Sequence, residues 1–330
     1  MNMTKNIAII MGGYSSEVHI SIKSGNVVYK HLNKEKFNAF RVLILKEKWV
    51  ALDAQENEFP IDKNDFSFTK NNIKTTFDCV FNAIHGAPGE NGQLLAYFDL
   101  INLKHTSAPF YQMALTFNKR DTLSVLKAYG IQTATAVYLN KGDEIHLDHI
   151  INTVGLPCFI KPNKAGSSYG ISKAHTKEEV LPAIVHAYKE DSEILIESFL
   201  DGTEVSVGVI QYQGETKVLP ITEIVSENDF FDYEAKYEGK SQEITPARIS
   251  LAQQAKVAEI AKKIYAILNI SGFSRSEFIF VGATPYFIEI NTVPGLTEKS
   301  ILPQQAQAAG ISLAALFEGA IEGACESACE

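Results

Sequence analysis

The N-terminal third of the chain alternates short apolar runs with an amphipathic segment. Residues 7–11 are apolar and are followed by a Gly-Gly turn, which predicts a first strand. Residues 40–45 and the stretch FDCVFNAIHG predict two further buried strands. Such alternation is typical of an open parallel α/β layer, which we expect over about residues 1–107. The helix after the first strand has an apolar face with a spacing near 3.6: Val18, Ile22, Gly25, Tyr29 and Leu32.

The pattern changes after residue 107. A helix is predicted over 119–129, ending at Gly130, and the stretches ATAVYL, LPCFIKP and EILIESFL predict short strands around a second helix. This is the pattern of a small α+β unit over 108–200. The remainder, 201–330, contains the alternating strand EVSVGVIQY, a charged loop, a long helix, and a final hairpin turning at the four residues GATP. We therefore predict three domains: 1–107, 108–200 and 201–330.

Composition narrows the class of protein to which this chain can belong. The chain has 330 residues, 45% of them hydrophobic and 21% charged, with a net charge of −9. A chain of this size can form clefts between domains, and its acidic balance argues against nucleic-acid binding. No stretch approaches the roughly 18 apolar residues of a membrane span, and the start does not resemble a signal peptide. The four cysteines lack the spacing of a zinc site or a disulfide framework. We expect a soluble, cytoplasmic protein with no membrane partner.

The stretch KPNKAGSSYGIS has the chemistry of a phosphate-binding loop. Lys161 ends an apolar strand, where anion binding is expected in open α/β layers. Gly166 and Gly170 would allow positive φ and a close approach to a ligand, while Ser167 and Ser168 offer N–H and hydroxyl donors. The stretch does not have the spacing of a P-loop. Without the lysine, a simple connector would be the better interpretation.

Further isolated charges lie at the ends of predicted elements. Lys119 opens a helix and Lys236 lies in the charged loop. Glu197 and Glu204 follow strand ends, where a carboxylate can accept from an adenine amino group or from ribose hydroxyls. Glu17, at the start of the first helix, either stabilises the helix dipole or holds a substrate ammonium group. Taken singly, a lysine or a strand-end glutamate of this kind is more often a solvated surface charge.

The final hairpin carries the strongest geometric argument. Side chains two apart on a strand point the same way, so Arg275 shares a face with Glu277, and Glu289 with Asn291. If Glu277 pairs with Glu289, the two carboxylates need a cation between them. Two carboxylates and an amide are oxygen ligands suited to Mg²⁺ bound together with substrate phosphates. The alternative is a solvated polar face of an edge hairpin.

Seven stretches, taken in order, resemble the D-alanine–D-alanine ligase family of the ATP-grasp superfamily: MGGYSSEVHISIKSG, IHGAPGENG, FNKRDTL, FIKPNKAGSSYGISK, LIESFLDGTEVSV, YEAKYEGKSQEITPA and IEINTVPGLTEKSILP. The resemblance covers essentially the whole chain. It implies an ATP-grasp fold behind an N-terminal open parallel α/β domain, with ATP between two antiparallel sheets. It also implies the reaction: ATP phosphorylates one D-alanine, and the amine of a second displaces phosphate to give the dipeptide for peptidoglycan precursors.

The resemblance assigns a role to each matched residue. The catalytic residues it implies are Glu17, Ser167, Tyr237, Arg275 and the Gly295 N–H; the substrate residues are His85 and Ser300; the ATP residues are Lys119, Lys161, Ser168, Glu197, Glu204 and Lys236; and the ligands of two Mg²⁺ or Mn²⁺ ions are Glu277, Glu289 and Asn291. Ser167 would link Glu17 to Tyr237, and a homodimer is also implied.

The chain departs from the family pattern at one metal ligand, since Glu277 stands where an aspartate is common. Tyr237 favours a D-alanine nucleophile over D-lactate. The alternatives are a D-alanine–D-lactate ligase, another ATP-grasp carboxylate–amine ligase, and a nucleotide-binding regulator without catalysis. A dehydrogenase is disfavoured because the first turn lacks G-x-G-x-x-G.

Overall fold

The structure is a computed structural model that describes residues 4–166, 169–226 and 241–326. Four of the sequence-predicted site residues, Ser167, Ser168, Lys236 and Tyr237, lie outside this described part of the chain.

The first part of the chain forms an eight-stranded sheet. Its strands are β1 (Lys5–Gly12), β2 (Phe37–Ile44), β3 (Trp49–Leu52), β4 (Glu58–Asp62), β5 (Ser67–Lys70), β6 (Ile73–Thr75), β7 (Cys79–Asn82) and β8 (Lys104–His105). They lie in the order β6-β5-β4-β3-β2-β1-β7-β8. The predicted parallel layer is confirmed for β2, β1, β7 and β8. Strands β2 to β6 continue the sheet as an antiparallel meander, which the sequence analysis did not predict.

Two helices, α1 (Val18–His31) and α2 (Gln93–Leu100), accompany this sheet. The buried face of α1 is rotated from the predicted apolar stripe: Ser21, Ser24, Gly25 and Val28 are the buried positions. The Ser21 hydroxyl accepts from the Gly12 N–H at 2.8 Å and donates to Ala83 O at 2.8 Å. A buried hydroxyl that both donates and accepts a hydrogen bond is stable in a core. The prediction from hydrophobicity alone therefore placed the buried face of α1 wrongly.

The elements of the second part of the chain are α3 (Phe110–Phe117), α4 (Lys119–Ala128), β9 (Ala136–Asn140), α5 (Leu147–Val154), β10 (Cys158–Pro162), β11 (Ser172–Ala174), α6 (Lys177–Ala187) and β12 (Glu193–Ser198). The strands form a four-stranded antiparallel sheet in the order β11-β10-β12-β9. The helix predicted over 119–129 is confirmed as α4, which ends at Ala128 and is followed by Gly130 with a φ of 77°.

The elements of the third part are β13 (Thr203–Tyr212), β14 (Glu215–Val218), β15 (Thr222–Ser226), β16 (Ser241–Ile244), α7 (Leu251–Ile267), β17 (Phe273–Val281), β18 (Thr284–Asn291), α8 (Ile301–Ala308) and α9 (Leu313–Glu326). The strands form a six-stranded antiparallel sheet in the order β16-β15-β13-β17-β18, with β14 paired to β13. The turn of the final hairpin has two residues between its strands, Gly282 and Ala283, and not the four predicted.

The last helix joins the first and third sheets. Phe317 in α9 is fully buried and meets Phe81 of β7 edge to face, with ring centroids 5.7 Å apart. Phe81 also contacts Phe273 of β17 at 6.4 Å. The three sheets follow one another along the chain, while the predicted domain limits at 107/108 and 200/201 stay a prediction.

Among the described residues, no single helix combines the length and the apolar character that a membrane span requires. Helices α8 and α9 meet both criteria only when they are taken together, and they are bent by 102° relative to each other.

Candidate active site

A cavity of about 360 Å³ lies where the three parts of the chain meet. Its walls come from the turn before α1, the loop after β7, the start of α4, the hairpin β17–β18 and the start of α8. Eight of the sequence-predicted site residues line it: Glu17, His85, Lys119, Arg275, Glu289, Asn291, Gly295 and Ser300. Groups far apart in the sequence are thus brought to one concave surface, as expected of a ligand site.

The hairpin pairs the predicted residues directly. Glu277 lies opposite Glu289, and Arg275 opposite Asn291. This register depends on a bulge between Glu277 and Phe278, where β18 has one extra residue, Ile288. The predicted pairing of the two glutamates is therefore confirmed, although the bulge itself was not foreseen.

Cationic and hydroxyl groups compensate the paired carboxylates. Arg275 Nε lies 3.2 Å from Glu277 Oε1, which also accepts from the Ser206 hydroxyl at 3.3 Å. Lys119 Nζ lies 3.2 Å from Glu289 Oε2. Two positive groups, Arg275 and Lys119, thus lie on the cavity side of the hairpin. A hairpin whose polar face was only solvated would not need such compensating charges.

The hairpin donors fit a hard divalent cation. Two carboxylates and the Asn291 side chain supply only oxygen ligands that Mg²⁺ or Mn²⁺ accepts, and they come from adjacent strands of one sheet. In the described part of the chain no group of three or more His, Cys, Asp or Glu side chains could hold a metal ion. A cation at the hairpin would therefore also need oxygen atoms from a substrate bound in the cavity, as is usual for Mg²⁺ with phosphates.

Lys161 is not among the residues that line this cavity. The residue is 7% exposed and forms a buried ion pair with Glu197, which is 5% exposed. Burial lowers the pKa of Lys161, but Glu197, Glu289 and Glu204 together outweigh it, so that the pKa is raised. The lysine therefore remains charged, as a phosphate-binding lysine must. That Glu197 and Glu204 contact a nucleotide stays a prediction.

The loop after β10 approaches Glu17. A Cβ on Gly166 would lie 2.6 and 2.8 Å from the two carboxylate oxygens of Glu17. Gly170 has the expected positive φ of 71°, whereas Gly166 does not have one. Glycine is thus required at 166 for the close approach and not for its backbone angle. Lys119 Nζ donates to Ala165 O at 2.9 Å and holds the start of this loop.

His85 is fixed in one tautomer by its two partners. Its Nδ1 lies 2.8 Å from Val293 O, which can only accept, so the Nδ1 carries the proton. The Ser24 hydroxyl then donates to Nε2 at 3.0 Å. Burial lowers the pKa of His85, against the opposing charge of Glu17, and the ring is neutral at neutral pH. Ser24 also accepts from the Leu296 N–H at 3.3 Å, a role that sequence reasoning missed.

Glu90 is a cavity residue that the sequence analysis did not select. It is 7% exposed and accepts from the Gly86 N–H at 2.9 Å. Burial and the nearby charge of Glu17 raise the pKa of Glu90 to about 7. In the sequence Glu90 lies within the stretch HGAPGEN, which gives no indication that its side chain is buried.

Ser300 also lines the cavity. Its hydroxyl lies 2.8 Å from the Thr297 hydroxyl, and it stands at the N-cap of α8. A Cβ on Gly295 would lie 2.7 Å from Ser300 Oγ, so the Gly295 backbone passes directly beside this hydroxyl. The predicted oxyanion donor and the predicted carboxylate-binding hydroxyl therefore lie next to each other.

Two family models match the chain. The one described as "D-ala D-ala ligase N-terminus" matches residues 6–108, and the one described as "D-ala D-ala ligase C-terminus" matches residues 125–322. A protein of Flavobacterium johnsoniae named D-alanine--D-alanine ligase is 69% identical over 318 residues, which are 96% of this chain and 98% of that protein. The chain belongs to the D-alanine–D-alanine ligase family.

Solved structures agree with membership of the D-alanine–D-alanine ligase family. The VanG D-Ala:D-Ser ligase of Enterococcus faecalis is 29% identical with a TM-score of 0.86, covering 97% of this chain and 99% of that one. The D-alanine–D-alanine ligase of Bacillus anthracis, solved with ATP, is 25% identical with a TM-score of 0.78, covering 98% and 97%. The predicted ATP-grasp fold is confirmed.

Proposed function

We propose that the chain joins two D-alanine molecules at the expense of ATP, forming D-alanyl-D-alanine, ADP and phosphate. A carboxylate oxygen of the first D-alanine attacks the γ-phosphorus, and ADP leaves. The amine of the second attacks the acyl carbon, loses its proton, and expels phosphate. One observation carries this proposal: a single cavity is lined by the Glu17 carboxylate together with Lys119 and Arg275.

The positive side chains serve the phosphoryl group. Lys119 and Lys161 neutralise the charge that moves onto the phosphate oxygens, and their ion pairs with Glu289 and Glu197 hold the ammonium groups in place. Glu277, Glu289 and Asn291 would hold Mg²⁺ or Mn²⁺, which supplies further charge neutralisation to the phosphate oxygens when bound.

The remaining cavity residues orient the amino acids. Glu17 accepts the ammonium group of the first D-alanine, and neutral His85 lies beside it without adding charge. Ser300 donates to the carboxylate of the second D-alanine. Arg275 and the Gly295 N–H face the carbon that becomes tetrahedral, where they stabilise the developing oxyanion.

Four residues outside the described part of the chain complete the proposal. Ser168 and Lys236 contact the nucleotide, and Ser167 links Glu17 to Tyr237. The acyl phosphate must be protected from water, which calls for closure over the cavity.

We also propose a cytoplasmic homodimer, the three domains given above, and no membrane or nucleic-acid partner.

An ADP-release assay tests the reaction. With Mg²⁺ and ATP, we expect turnover with D-alanine and none with L-alanine. D-lactate and D-serine, each supplied with D-alanine, should add no ester or mixed dipeptide to the products. Absence of D-alanine-dependent ADP release would refute the proposed function, and a dominant D-lactate product would favour the alternative ester-forming ligase.

Glu289→Gln tests the hairpin. The substitution keeps the shape but removes the charge that faces Lys119 and a phosphate-bound cation, so kcat should fall about 100-fold or more. Turnover by steady-state ADP release and the melting temperature should be measured together. Glu259→Gln, an exposed site on α7, is the matched control and should leave both unchanged. Near-normal turnover in Glu289→Gln would contradict the metal assignment.

A further inference from the structure

The two phosphate lysines lie on different elements of the chain. Lys161 lies next to the end of β10, and Lys119 is the first residue of α4. Both are coupled to Glu289, Lys119 by direct contact at 3.2 Å and Lys161 by charge. For two lysines to act on one phosphate group, the two elements that carry them must be held at a fixed distance from each other. Some contact must therefore hold β10 against the start of α4.

Asn163 makes that contact. It lies two residues after Lys161 and its exposed fraction is 0%. Its carbonyl oxygen accepts from the Lys119 N–H at 3.4 Å, and its Oδ1 accepts from the Arg120 N–H at 2.9 Å. These are the first two N–H groups of α4, which have no partner within the helix. Asn163, the first residue after β10, thus caps a helix that lies about 40 residues earlier in the chain.

The amide nitrogen of Asn163 completes the connection. Its Nδ2 donates to Asn118 Oδ1 at 2.9 Å and to Glu193 Oε2 at 2.7 Å, and its backbone N–H donates to Glu193 O at 2.9 Å. Asn118 is itself the N-cap residue of α4 and accepts from the Asp121 N–H at 3.0 Å. Every polar atom of Asn163 is used, and the partners fix which side-chain atom is the oxygen.

We propose that Asn163 is a positioning residue for nucleotide binding: it locks the strand end that carries Lys161 to the helix start that carries Lys119. It touches neither substrate nor the reacting atoms. Because a displacement of about 1 Å at a binding group can reduce activity up to 100-fold, the loss of this lock should be visible in nucleotide affinity. The inference rests on the proposed use of ATP.

Asn163→Ala in the full-length chain is the direct test. Calorimetric titration with Mg²⁺–ADP should show an affinity about tenfold lower than that of the wild type, with a similar rise in KM for ATP. The KM for D-alanine should stay within about twofold of the wild-type value, because the residues proposed to bind D-alanine lie on other elements. A purely structural role would lower the melting temperature and the active fraction while leaving the KM for ATP unchanged.

A second variant covers the risk that Asn163→Ala does not fold. Asn118→Ser introduces a hydroxyl that can still cap the Asp121 N–H but is shorter than the amide that Asn163 contacts. It should reduce ADP affinity in the same direction and by less. Ser250→Ala removes a cap from α7, away from the cavity, and serves as the control that should leave ADP affinity unchanged.

The outcomes separate this inference from the proposed function. If the wild type does not bind ADP or use ATP, the proposed function fails. If the wild type binds ADP and the folded Asn163 and Asn118 variants bind it equally well, the positioning role of Asn163 is overturned. An equal loss of affinity in Ser250→Ala would overturn it too.

Discussion

At the scale of single residues, Glu90 should make stability depend on pH. Its pKa is raised by burial from 4.5 to about 7, so between these values the native protein keeps a proton that the unfolded chain has released. The native state then binds more protons, and stability falls as pH rises through this window, by about 3 kcal/mol in total. The contribution is present in full below pH 4.5 and is lost above pH 7.

Glu90→Gln should remove this dependence, since an amide has no proton to lose but still accepts from the Gly86 N–H. The difference in free energy of unfolding between variant and wild type should move by about 2.5 kcal/mol in favour of the variant from pH 5 to pH 8. Urea unfolding at the two pH values measures it. Glu215→Gln, an exposed site on β14, should show no such movement. Parallel pH curves for Glu90→Gln and the wild type would show that the carboxyl is not held neutral.

The placement of several site residues could be predicted from the sequence and that of others could not, while the roles assigned to them stay predictions. Arg275, Glu277 and Glu289 were predicted together because strand periodicity is local and their types are specific. Asn163 and Glu90 were missed because their importance comes from burial and from partners distant in the sequence. An asparagine or a glutamate in a Gly-rich stretch gives no indication of either.

At the scale of elements, the loop after β10 depends on glycine at 166. In Gly166→Ala the new methyl group would lie within 3 Å of both Glu17 oxygens, so either the loop or the carboxylate must move. We expect the KM for D-alanine to rise about tenfold or more, because Glu17 would no longer be placed for the ammonium group that we propose it binds. Steady-state kinetics with D-alanine varied at saturating ATP gives the value.

The matched control is Gly323→Ala in α9, where an added Cβ meets no atom within 4 Å. It should leave the KM unchanged and raise stability by up to about 1 kcal/mol, as alanine favours helix. If Gly166→Ala keeps a normal KM for D-alanine, the Glu17 assignment or the closeness of this loop is wrong.

Elements were predicted better than their connections. Long apolar or periodic segments such as β1, α4 and β13 were placed correctly, since burial on one side leaves a repeating pattern. The buried face of α1 was misplaced, because Ser21 and Ser24 satisfy their hydroxyls inside the core. The meander of β3 to β6 was missed because its strands have only three to five residues.

At the scale of the whole molecule, α9 connects the first and third sheets. Phe317 is 0% exposed and packs on Phe81, which in turn meets Phe273. Phe317→Ala should lower the free energy of unfolding by about 3–5 kcal/mol, because it leaves a cavity at this junction. Urea denaturation followed by circular dichroism measures the loss.

Leu251→Ala is the comparison for this prediction, since Leu251 is 82% exposed at the start of α7. It should change the free energy of unfolding by no more than about 0.5 kcal/mol. A loss below 1 kcal/mol in Phe317→Ala would mean that the junction relaxes around the missing ring and that α9 does not hold the sheets together.

The bulge at Ile288 also affects how the hairpin tolerates changes in length. Phe287 and Glu289 are two residues apart, yet one pairs with buried Phe278 and the other with Glu277, because the extra residue lies between them. Removing Ile288 would give a regular ladder in which Glu289 still lies opposite Glu277. Adding a residue there would require a second irregularity to keep that pairing. The strand can therefore lose one residue at this point, but not gain one, without changing which side chains face the cavity.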